Sequence, residues 1–529
     1  MDKTTQITYI LITTNMLAKV YSATMQGLTA TPVTIEVDTT EVPEPRFVIV
    51  GLPDNAVKES QERIQTALKV NGYGTSARKT VVNLAPADIR KEGSGFDLPI
   101  AIGLMISTEK LDVEDTSQYM FVGELGLDGT ILPVKGALPI SIKARALGYK
   151  GLFVPVENAR EAAVVDRLEI YGVHHLTEVV HILNGVTTPS PTIVNTREEF
   201  YDDQLNFEYD FSEVKGQENV KRAFEVAAAG GHNIILVGSP GCGKSMMAKR
   251  LPSILPPLSL SESLETTQIH SVAGKLKKDS ALISIRPFRA PHHTISDVAL
   301  VGGGNVFMPG EICLAHNGVL FLDELPEFSR TALETMRQPL EDRVISVSRA
   351  KYNYTLPCSF MLVASMNPCP CGYHHHPTHA CVCTPSQITR YMNKISGPLM
   401  DRIDIQVEVA NVPFEDIATA PKGEPSSAIR ERVVKARKIQ EERFKGHKGI
   451  HCNAQMTTSL LQKYAVLDDE SMTQLRTAMT RLNLSARAYD RILKVSRTIA
   501  DLEGSDRIRR NHVAEAIGYR NLDRDSWFE

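Results

Sequence analysis

The sequence lacks the marks of a membrane, secreted or globally basic protein. No apolar run approaches the ~20 residues of a membrane-spanning helix, since the best candidate, Leu98 to Ile106, is short and follows Asp97. The N-terminus does not show the succession of a charged region, an apolar core and a small-residue cleavage site that is typical of a secretory signal peptide. Lys and Arg number 58 against 62 Asp and Glu, which gives a formal charge of −4. This excludes a globally basic DNA binder but not a local basic surface. We predict a cytoplasmic protein without a membrane partner.

Dispersed cysteines, the mark of a secreted disulfide scaffold, are also missing. Four of the eight cysteines form two Cys-x-Cys pairs, Cys369 with Cys371 and Cys381 with Cys383. Four thiolates suit a tetrahedral Zn²⁺, and we predict a structural zinc site here. The pairs are tighter than the usual C-x₂₋₄-C, so free thiols or a set containing histidine remain alternatives. The histidines between the pairs are His374, His375, His376 and His379.

A chain of 529 residues predicts three or four domains at roughly 150 residues each. Apolar residues at 42% and charged residues at 23% are ordinary globular values. We predict an α/β multidomain protein. Its predicted parts are a tail of uncertain status, 1–15; an α/β domain, 16–185; a linker, 186–208; a second α/β domain, 209–412; and a helical region, 413–529. For 186–208, a long surface loop within one domain is the alternative.

Local patterns predict the main elements. In the first domain we expect a buried strand, a helix capped by Asp54, a second strand, an apolar helix and a hairpin turning at Asp128-Gly129. The buried strand is expected at 46–52, the second strand at 79–84, the apolar helix at 97–107 and the hairpin at 121–134, and the capped helix ends at Gly72. In the second domain the strands are continuous apolar runs, which is typical of a parallel sheet covered on both faces.

One segment of the second domain fits G-x-x-x-x-G-K-[ST] between an apolar strand and a helix. Its residues are Gly238, Ser239, Pro240, Gly241, Cys242, Gly243, Lys244 and Ser245. Glycines let the backbone fold around a phosphate, with N–H groups and a helix N-terminus facing the charge. We predict an ATP site in which Lys244 reaches the β/γ-phosphates and Ser245 binds Mg²⁺.

Polar residues end two further apolar strands. Asp323 and Glu324 follow one, and Asn367 follows the other. We predict that Asp323 holds Mg²⁺, that Glu324 is the general base and that Asn367 orients water or contacts the γ-phosphate. The alternatives are solvated acids at a strand end and a turn asparagine.

These motifs resemble Walker A, Walker B and sensor 1 of AAA+ ATPases. Residues 397–404 resemble the arginine-finger segment of the magnesium-chelatase and MCM branch, and 484–491 resemble a sensor 2 helix. The order of motifs, with MNPCPCG after sensor 1, is similar to the ComM/YifB magnesium-chelatase-like family from Met16 onward. The resemblance implies a homo-hexamer in which Arg402 acts on the neighbouring subunit's phosphate and Arg487 acts within its own chain from a helical lid. A salt bridge is the alternative for either arginine.

The resemblance also extends to inserts. Residues 286–293 and 302–304 look like a helix-2 insert. Alternation over 343–354 predicts a hairpin, which resembles the pre-sensor-1 hairpin that lines the pore of ring helicases. Its candidate DNA contacts are Arg349, Lys351, Tyr352 and Tyr354. The alternative is an exposed hairpin with solvated charges.

The segment 91–101 resembles the part of Lon-type peptidase domains that carries the nucleophile. Asp97 stands at the matching position, Ser94 is displaced, and Lys135 falls outside the position expected of the dyad lysine. A Ser–Lys pair needs hydrogen-bond reach. We therefore predict a Lon-like fold without peptidase activity, with Ser94 and either Lys135 or Lys143 as the alternative pair.

Together these features predict an ATP-hydrolysing ring motor that acts on DNA as a branch-migration helicase does, in recombination or natural transformation. The DNA part depends on fold-level analogy. One alternative is a chelatase-type protein remodeller. Another is a nucleotide-switched scaffold, whose mark would be damage at Asp323, Glu324 or Arg402, and none is damaged. The sequence leaves protein partners open.

Overall fold

The computed structural model describes residues 17–74, 78–113, 115–277, 280–304, 307–349, 352–411, 422–447, 449–482 and 484–520. The predicted tail, 1–15, lies outside them. The chain divides into two compact units. The first comprises residues 1–197 with 267–282, and the second comprises 198–266 with 283–529. Within the described residues, no helix combines the length and apolar character that a membrane crossing requires.

The first unit is α/β. Its elements are β1 Ala18–Gln26, β2 Thr29–Glu41, β3 Arg46–Val50, α1 Asn55–Val70, β4 Arg78–Ala85, α2 Asp97–Ser107, β5 Tyr119–Phe121, β6 Glu124–Leu125, β7 Ile131–Leu132, α3 Ala137–Ala146, β8 Gly151–Pro155, α4 Val156–Ala162, β9 Glu169–Val173 and α5 Leu176–Leu183. One sheet has the order β1-β2-β4-β3, a second has β5-β8-β9, and β6 pairs with β7. Helix α2 packs on β1 and β2, where a Cβ at Gly103 would lie 2.7 Å from Val37 Cγ2.

Most local predictions for this unit are confirmed. Asp54 Oδ1 accepts from the Val57 N–H at 2.9 Å and caps α1, and α2 has the predicted bounds. The hairpin is present but short, because only β6 and β7 pair. The predicted buried strand at 46–52 is wrong in two respects. It ends at Val50, and its side chains are half-buried or exposed, because β3 is an edge strand with one neighbour.

The second unit begins within α6 Thr196–Asp203, a helix inside the predicted linker. Its further elements are α7 Glu218–Gly230, β10 Ile234–Val237, α8 Lys244–Arg250, α9 Leu260–Val272, β11 Phe288–Arg289, α10 Asp297–Val301, α11 Glu311–Leu314, β12 Val319–Leu322, α12 Arg330–Thr335, α13 Arg337–Asp342, β13 Val344–Arg349, β14 Tyr352–Pro357, β15 Met361–Met366, α14 Pro385–Met392, α15 Gly397–Met400, β16 Ile405–Glu408, α16 Ser426–Arg443, α17 Thr458–Tyr464, α18 Asp469–Arg481, α19 Ala486–Leu502 and α20 Arg510–Gly518. Residues 267–272, nearly half of α9, fall in the first unit.

A five-stranded parallel sheet organises this unit, in the order β11-β12-β15-β10-β16. The strands β10, β12 and β15 are buried along their whole length, which confirms the predicted parallel sheet and explains its unbroken apolar runs. Helices α7, α16 and α19 contribute to the same core. After β16 the described residues are mainly helical, as predicted.

Candidate functional site

Three neighbouring strands of the second unit end at the same edge of the sheet. Strand β10 lies between β15 and β16, and β15 also pairs with β12, all in parallel. Because the strands are parallel, their carboxyl ends meet at one edge. The loop 238–243 follows β10, Asp323 and Glu324 follow β12, and Asn367 follows β15. The fold therefore brings three separately predicted motifs to one place.

The loop after β10 presents a lysine whose charge has no carboxylate partner. Gly241 and Gly243 have φ of +81° and +92°, a region that favours glycine. Lys244 is buried at the first position of α8. Its Nζ donates to the carbonyl oxygens of Gly238 at 2.7 Å and Ser239 at 2.9 Å, and to Asn367 Oδ1 at 3.2 Å. These acceptors are neutral, and in the described part of the chain no carboxylate forms a salt bridge with this amine.

Ser245 and Asp323 form the next contact. Ser245 Oγ donates to Asp323 Oδ2 at 2.6 Å. The other carboxylate oxygen accepts from the Ser365 hydroxyl and from the Glu324 N–H at 3.1 Å. A hydroxyl beside a carboxylate is a donor set that Mg²⁺ uses.

Glu324 has a partner that sequence reasoning missed. Its carboxylate is about half exposed, and its Oε2 lies 3.3 Å from His293 Nδ1. The His293 ring also packs on His292, with ring centroids 4.1 Å apart. The sequence placed both histidines in the insert without a role, since no spacing rule links residue 293 to residue 324. A histidine before an acid-ended strand is too common a pattern to have found this pair.

Arg402 and Arg487 make contacts within the second unit. Arg402 is 9% exposed, pairs with Glu341 and donates from Nη1 to the Pro398 carbonyl at 2.7 Å. Arg487 is exposed, and its Nη1 lies 3.3 Å from Asp401 Oδ2. Both therefore form salt bridges here. Glu341 is itself exposed, so the Arg402 pair can exchange partners at the surface.

The four predicted metal ligands converge. Sulfur distances are 3.3 Å for Cys369–Cys371, 3.7 Å for Cys369–Cys381 and 3.6 Å for Cys371–Cys381, and all four sulfurs lie within 4.8 Å of one another. A tetrahedral site with Zn–S of about 2.3 Å requires S···S of about 3.8 Å. No histidine belongs to this group in the described part of the chain.

Backbone donors surround the sulfurs. The Cys371 N–H donates to Cys383 Sγ at 3.4 Å. Burial alone would raise the pKa of the Cys371 thiol, but the N–H groups of Tyr373 and Val382 hold it at about 6. Burial raises the pKa of the Cys369 thiol to about 12 and also raises that of Cys383. The fit to zinc therefore depends on the convergence of four sulfurs, the donor set of a structural zinc site.

The cysteine loop lies against the loop after β10. Gly372 has φ of +84°, and a Cβ there would lie 2.5 Å from Pro240 Cδ. Asn411 contacts both segments, accepting from Ser239 Oγ at 2.9 Å and pairing with His376 Nε2. The loop that carries the four cysteines therefore packs against the loop after β10.

The predicted hairpin is confirmed as β13 and β14, which pair antiparallel with Arg349 opposite Tyr352. Lys351 and the side chain of Arg349 lie outside the described residues. Tyr352 and Tyr354 stack with centroids 5.2 Å apart, and Phe307 meets both rings edge-on. The Tyr352 hydroxyl donates to the Gly304 carbonyl at 2.8 Å. The two tyrosines therefore pack on the insert.

In the first unit, Asp97 is sealed in an ion pair. Its Oδ2 accepts from Arg63 Nε at 2.7 Å and from the Leu125 N–H at 3.2 Å, and its Oδ1 accepts from Arg63 Nη2 at 3.1 Å. Burial raises the pKa of Asp97 to about 6, although Arg63 acts in the opposite direction. The nearby Ser94 hydroxyl donates to Glu124. The stem of Lys135 faces Gly274.

Family models match three parts of the chain. "Magnesium chelatase, subunit ChlI" matches residues 210–417, "Subunit ChlI of Mg-chelatase" matches 35–158, and "Magnesium chelatase, subunit ChlI C-terminal" matches 423–520. With the parallel sheet and the motifs at its edge, these matches define an α/β fold of the AAA+ type.

Relatives match almost the whole chain. Competence protein ComM of Haemophilus influenzae is 43% identical over 512 residues, 96% of this chain and 98% of its own. A protein named YifB of Salmonella typhimurium is 41% identical over 520 residues, with the same coverage. The chain therefore belongs to the ComM/YifB family of magnesium-chelatase-like proteins.

Two partial matches are more distant. Lon protease 2 of Bacillus subtilis is 26% identical over 145 residues, 27% of this chain and 26% of its own. DNA replication licensing factor Mcm6 of Drosophila melanogaster is 22% identical over 334 residues, 59% of this chain and 37% of its own.

Proposed function

We propose that the chain is a cytoplasmic, ATP-hydrolysing ring motor that remodels DNA. The convergence of Lys244, Ser245, Asp323 and Asn367 carries this proposal. Lys244 is a buried cation whose partners in the described part of the chain are neutral, at a helix N-terminus that already favours an anion. A polyphosphate supplies the missing negative charge, which is why ATP suits this site better than a neutral ligand.

Each residue at the strand ends has a defined part in hydrolysis. Ser245 and Asp323 hold Mg²⁺, which neutralises charge on the phosphates when it is bound. Glu324 accepts a proton from the attacking water, and His293 at 3.3 Å positions its carboxylate. Asn367 orients the water or the γ-phosphate, and Arg487 acts from the helical lid.

The ring is a homo-hexamer in this proposal. Arg402 leaves the exposed Glu341 and meets the γ-phosphate held by the neighbouring subunit. A phosphoryl-transfer transition state spreads negative charge over the γ-phosphoryl oxygens, which a guanidinium supplied in trans stabilises.

DNA is the proposed substrate because of the hairpin and the relatives. The sequence offers charge at Arg349 and Lys351 and aromatic rings at Tyr352 and Tyr354, and such a combination suits a nucleic-acid strand. The name of one relative contains competence and that of another contains DNA replication. Both suit a branch-migration role in recombination or natural transformation.

The proposed layout follows the predicted boundaries: a Lon-like domain at 16–185, a linker at 186–208, the AAA+ core at 209–412 and a helical lid at 413–529. Asp97, sealed by Arg63 at the predicted nucleophile position, supports a domain without peptidase activity, used for binding or ring assembly.

ATP hydrolysis with and without single-stranded, duplex and branched DNA tests the motor. We expect turnover that branched DNA stimulates, and none from Lys244→Ala. Turnover that no DNA changes would favour the second candidate, a chelatase-type protein remodeller, to which the descriptions of the matched family models point. Absence of turnover under every condition would contradict both.

We also propose one structural Zn²⁺ per chain at Cys369, Cys371, Cys381 and Cys383. Elemental analysis of protein purified under reducing conditions without chelators should find about one zinc per chain. Cys371→Ser combined with Cys383→Ser should lose the metal, whereas the control His379→Ala should keep it. A metal-free wild type would contradict the site, and zinc loss in the control would indicate a histidine ligand.

A further inference from the structure

A basic cavity lies in the second unit at the amino ends of the central strands. Asn233, Gly318 and Met361, which precede or begin β10, β12 and β15, line it. Its volume is about 120 Å³. Lys244 lies at the opposite edge of the sheet. The five residue steps from Asn233 to Gly238 separate the two edges by about 17 Å at 3.3 Å per step. The cavity is therefore separate from the proposed ATP site.

Four arginines and two carboxylates line this cavity. Two arginines are neutralised directly. Arg286 pairs with Glu262 at 3.2 Å, and Arg491 pairs with Asp404 at 3.0 Å. The remaining two, Arg343 and Arg437, have no carboxylate within salt-bridge distance among the described residues.

The bonds of these two arginines are to carbonyl oxygens. Arg343 Nη1 donates to the Gly449 carbonyl at 3.4 Å. Arg437 donates to the carbonyls of Ala229 at 3.1 Å and Ala228 at 2.9 Å. A guanidinium has five N–H donors, so both arginines keep donors for another partner. Both side chains are half-buried, so their unpaired charge can be met by a small anion that enters the cavity.

The positive charge of the arginines also shifts the pKa values of Glu262 and Lys494. Burial alone would raise the pKa of Glu262, but the charges of Arg286 and Arg437 hold it below its ordinary value. Burial, with Arg491 and Arg343 adding to it, lowers the pKa of Lys494 to about 8. These shifts agree with the excess of arginine over carboxylate.

We propose that this cavity binds a tetrahedral oxyanion, inorganic phosphate, between Arg343 and Arg437. Arginine forks match phosphate oxygens in pairs. The volume is below the roughly 300 Å³ at which small-molecule pockets begin, so it suits a free ion and excludes a whole nucleotide. Arg343 immediately precedes β13, and Arg437 lies on α16. A bound phosphate therefore ties the base of the hairpin to the helical region.

The test uses full-length Lys244→Ala protein, in which the loop after β10 has lost the lysine expected to bind phosphate, so the result does not depend on ATP hydrolysis. Equilibrium dialysis with labelled inorganic phosphate, at constant ionic strength set with chloride, measures binding. We expect one phosphate per chain, displaced by sulfate and not by magnesium-free ADP. Adding Arg343→Gln should weaken binding at least tenfold, whereas Arg476→Gln, which removes an exposed arginine on α18, should leave it unchanged.

Arg343→Lys distinguishes a binding defect from misfolding, because it keeps the positive charge and loses only the paired N–H donors of the guanidinium. We expect an intermediate affinity, with an unfolding midpoint in chloride like that of the parent protein. Equal phosphate binding by the Arg343→Gln and parent proteins would overturn the proposal. So would absence of binding in Lys244→Ala, or displacement by ADP as readily as by sulfate.

Discussion

Asp97 in the first unit and Lys244 in the second are both buried charged groups at the first position of a helix. Asp97 has an opposite charge beside it, because it accepts two bonds from Arg63 at a helix N-terminus that favours an anion, although burial still raises its pKa. Lys244 is incomplete, because it is a cation at a helix N-terminus with neutral oxygens around it. The Arg63 pair occupies the hydrogen-bonding oxygens of Asp97, whereas the Lys244 amine remains able to bind an anion. Uncompensated charge, more than burial or perturbed pKa, thus distinguishes the candidate site.

The pair of Arg402 and Glu341 lies between these cases, since the arginine is buried and its partner is exposed. We expect Arg402→Ala to retain nucleotide binding and to lose about 10³-fold in ATP turnover. The variant lacks the guanidinium that stabilises the γ-phosphoryl oxygens, and this interaction matters in the transition state and not in the bound ground state. Steady-state hydrolysis and nucleotide titration measure the two effects.

Mixing Arg402→Ala with Lys244→Ala sharpens this test. In mixed rings an intact Arg402 can face an intact loop on the next subunit, so some activity should return. A mixture as inactive as its parents, in rings shown to be mixed, would mean that Arg402 is not a finger acting in trans.

Glu324 should show the next largest effect. We expect Glu324→Gln to bind ATP and to lose at least about 100-fold in turnover, because the amide cannot accept the proton of water. Glu327→Gln is the matched control, because it makes the same chemical change at a nearby glutamate that pairs with Lys394 at 3.1 Å and has no proposed role in hydrolysis. Similar turnover in both variants would remove Glu324 from the role of general base.

The hairpin should show a smaller, salt-dependent effect. We expect Arg349→Ala combined with Lys351→Ala to weaken DNA binding about tenfold at moderate salt and to leave basal ATP hydrolysis intact. The slope of log affinity against log salt should fall by about two, because each lost phosphate contact releases about one counterion fewer. Normal binding at all salt concentrations would contradict the DNA assignment.

Asp97 should show the smallest effect. Its folded pKa of about 6 lies above its ordinary value of 3.8, so the folded state binds the proton more tightly than the unfolded state. This group therefore contributes stability that is complete below pH 3.8 and is lost as the pH rises through 6. Between pH 5 and pH 7 the loss is about 1 kcal/mol.

Asp97→Asn should remove this component. The difference between the wild-type and Asp97→Asn unfolding free energies, measured at pH 5 and pH 7, isolates it from other titrating groups. A difference independent of pH would mean that the Arg63 pair is strong enough to keep Asp97 ionised, which would contradict the raised pKa.

Much of the fold could be predicted because it depends on local patterns. Continuous apolar runs predicted the parallel sheet, since strands buried on both faces have no polar side. Asp54 and the exact bounds of α2 followed from capping and hydrophobicity. The exposure of β3 did not, because an edge strand and a central strand can have similar sequences, and sheet order decides which one has a single neighbour.

The sequence by itself determined the candidate ATP site, because its motifs follow parallel strands whose carboxyl ends meet at one edge. It also predicted the four-cysteine set but left a set containing histidine open, and the tertiary structure brought the four sulfurs together. Tertiary structure alone decided the contacts of His293 with Glu324, of Arg402 with Glu341 and of Gly372 with Pro240. It alone placed Arg343 and Arg437 around one cavity. These partners lie 31 to 132 positions apart or on separate loops, and no local periodicity encodes which distant side chains share a space once the chain packs.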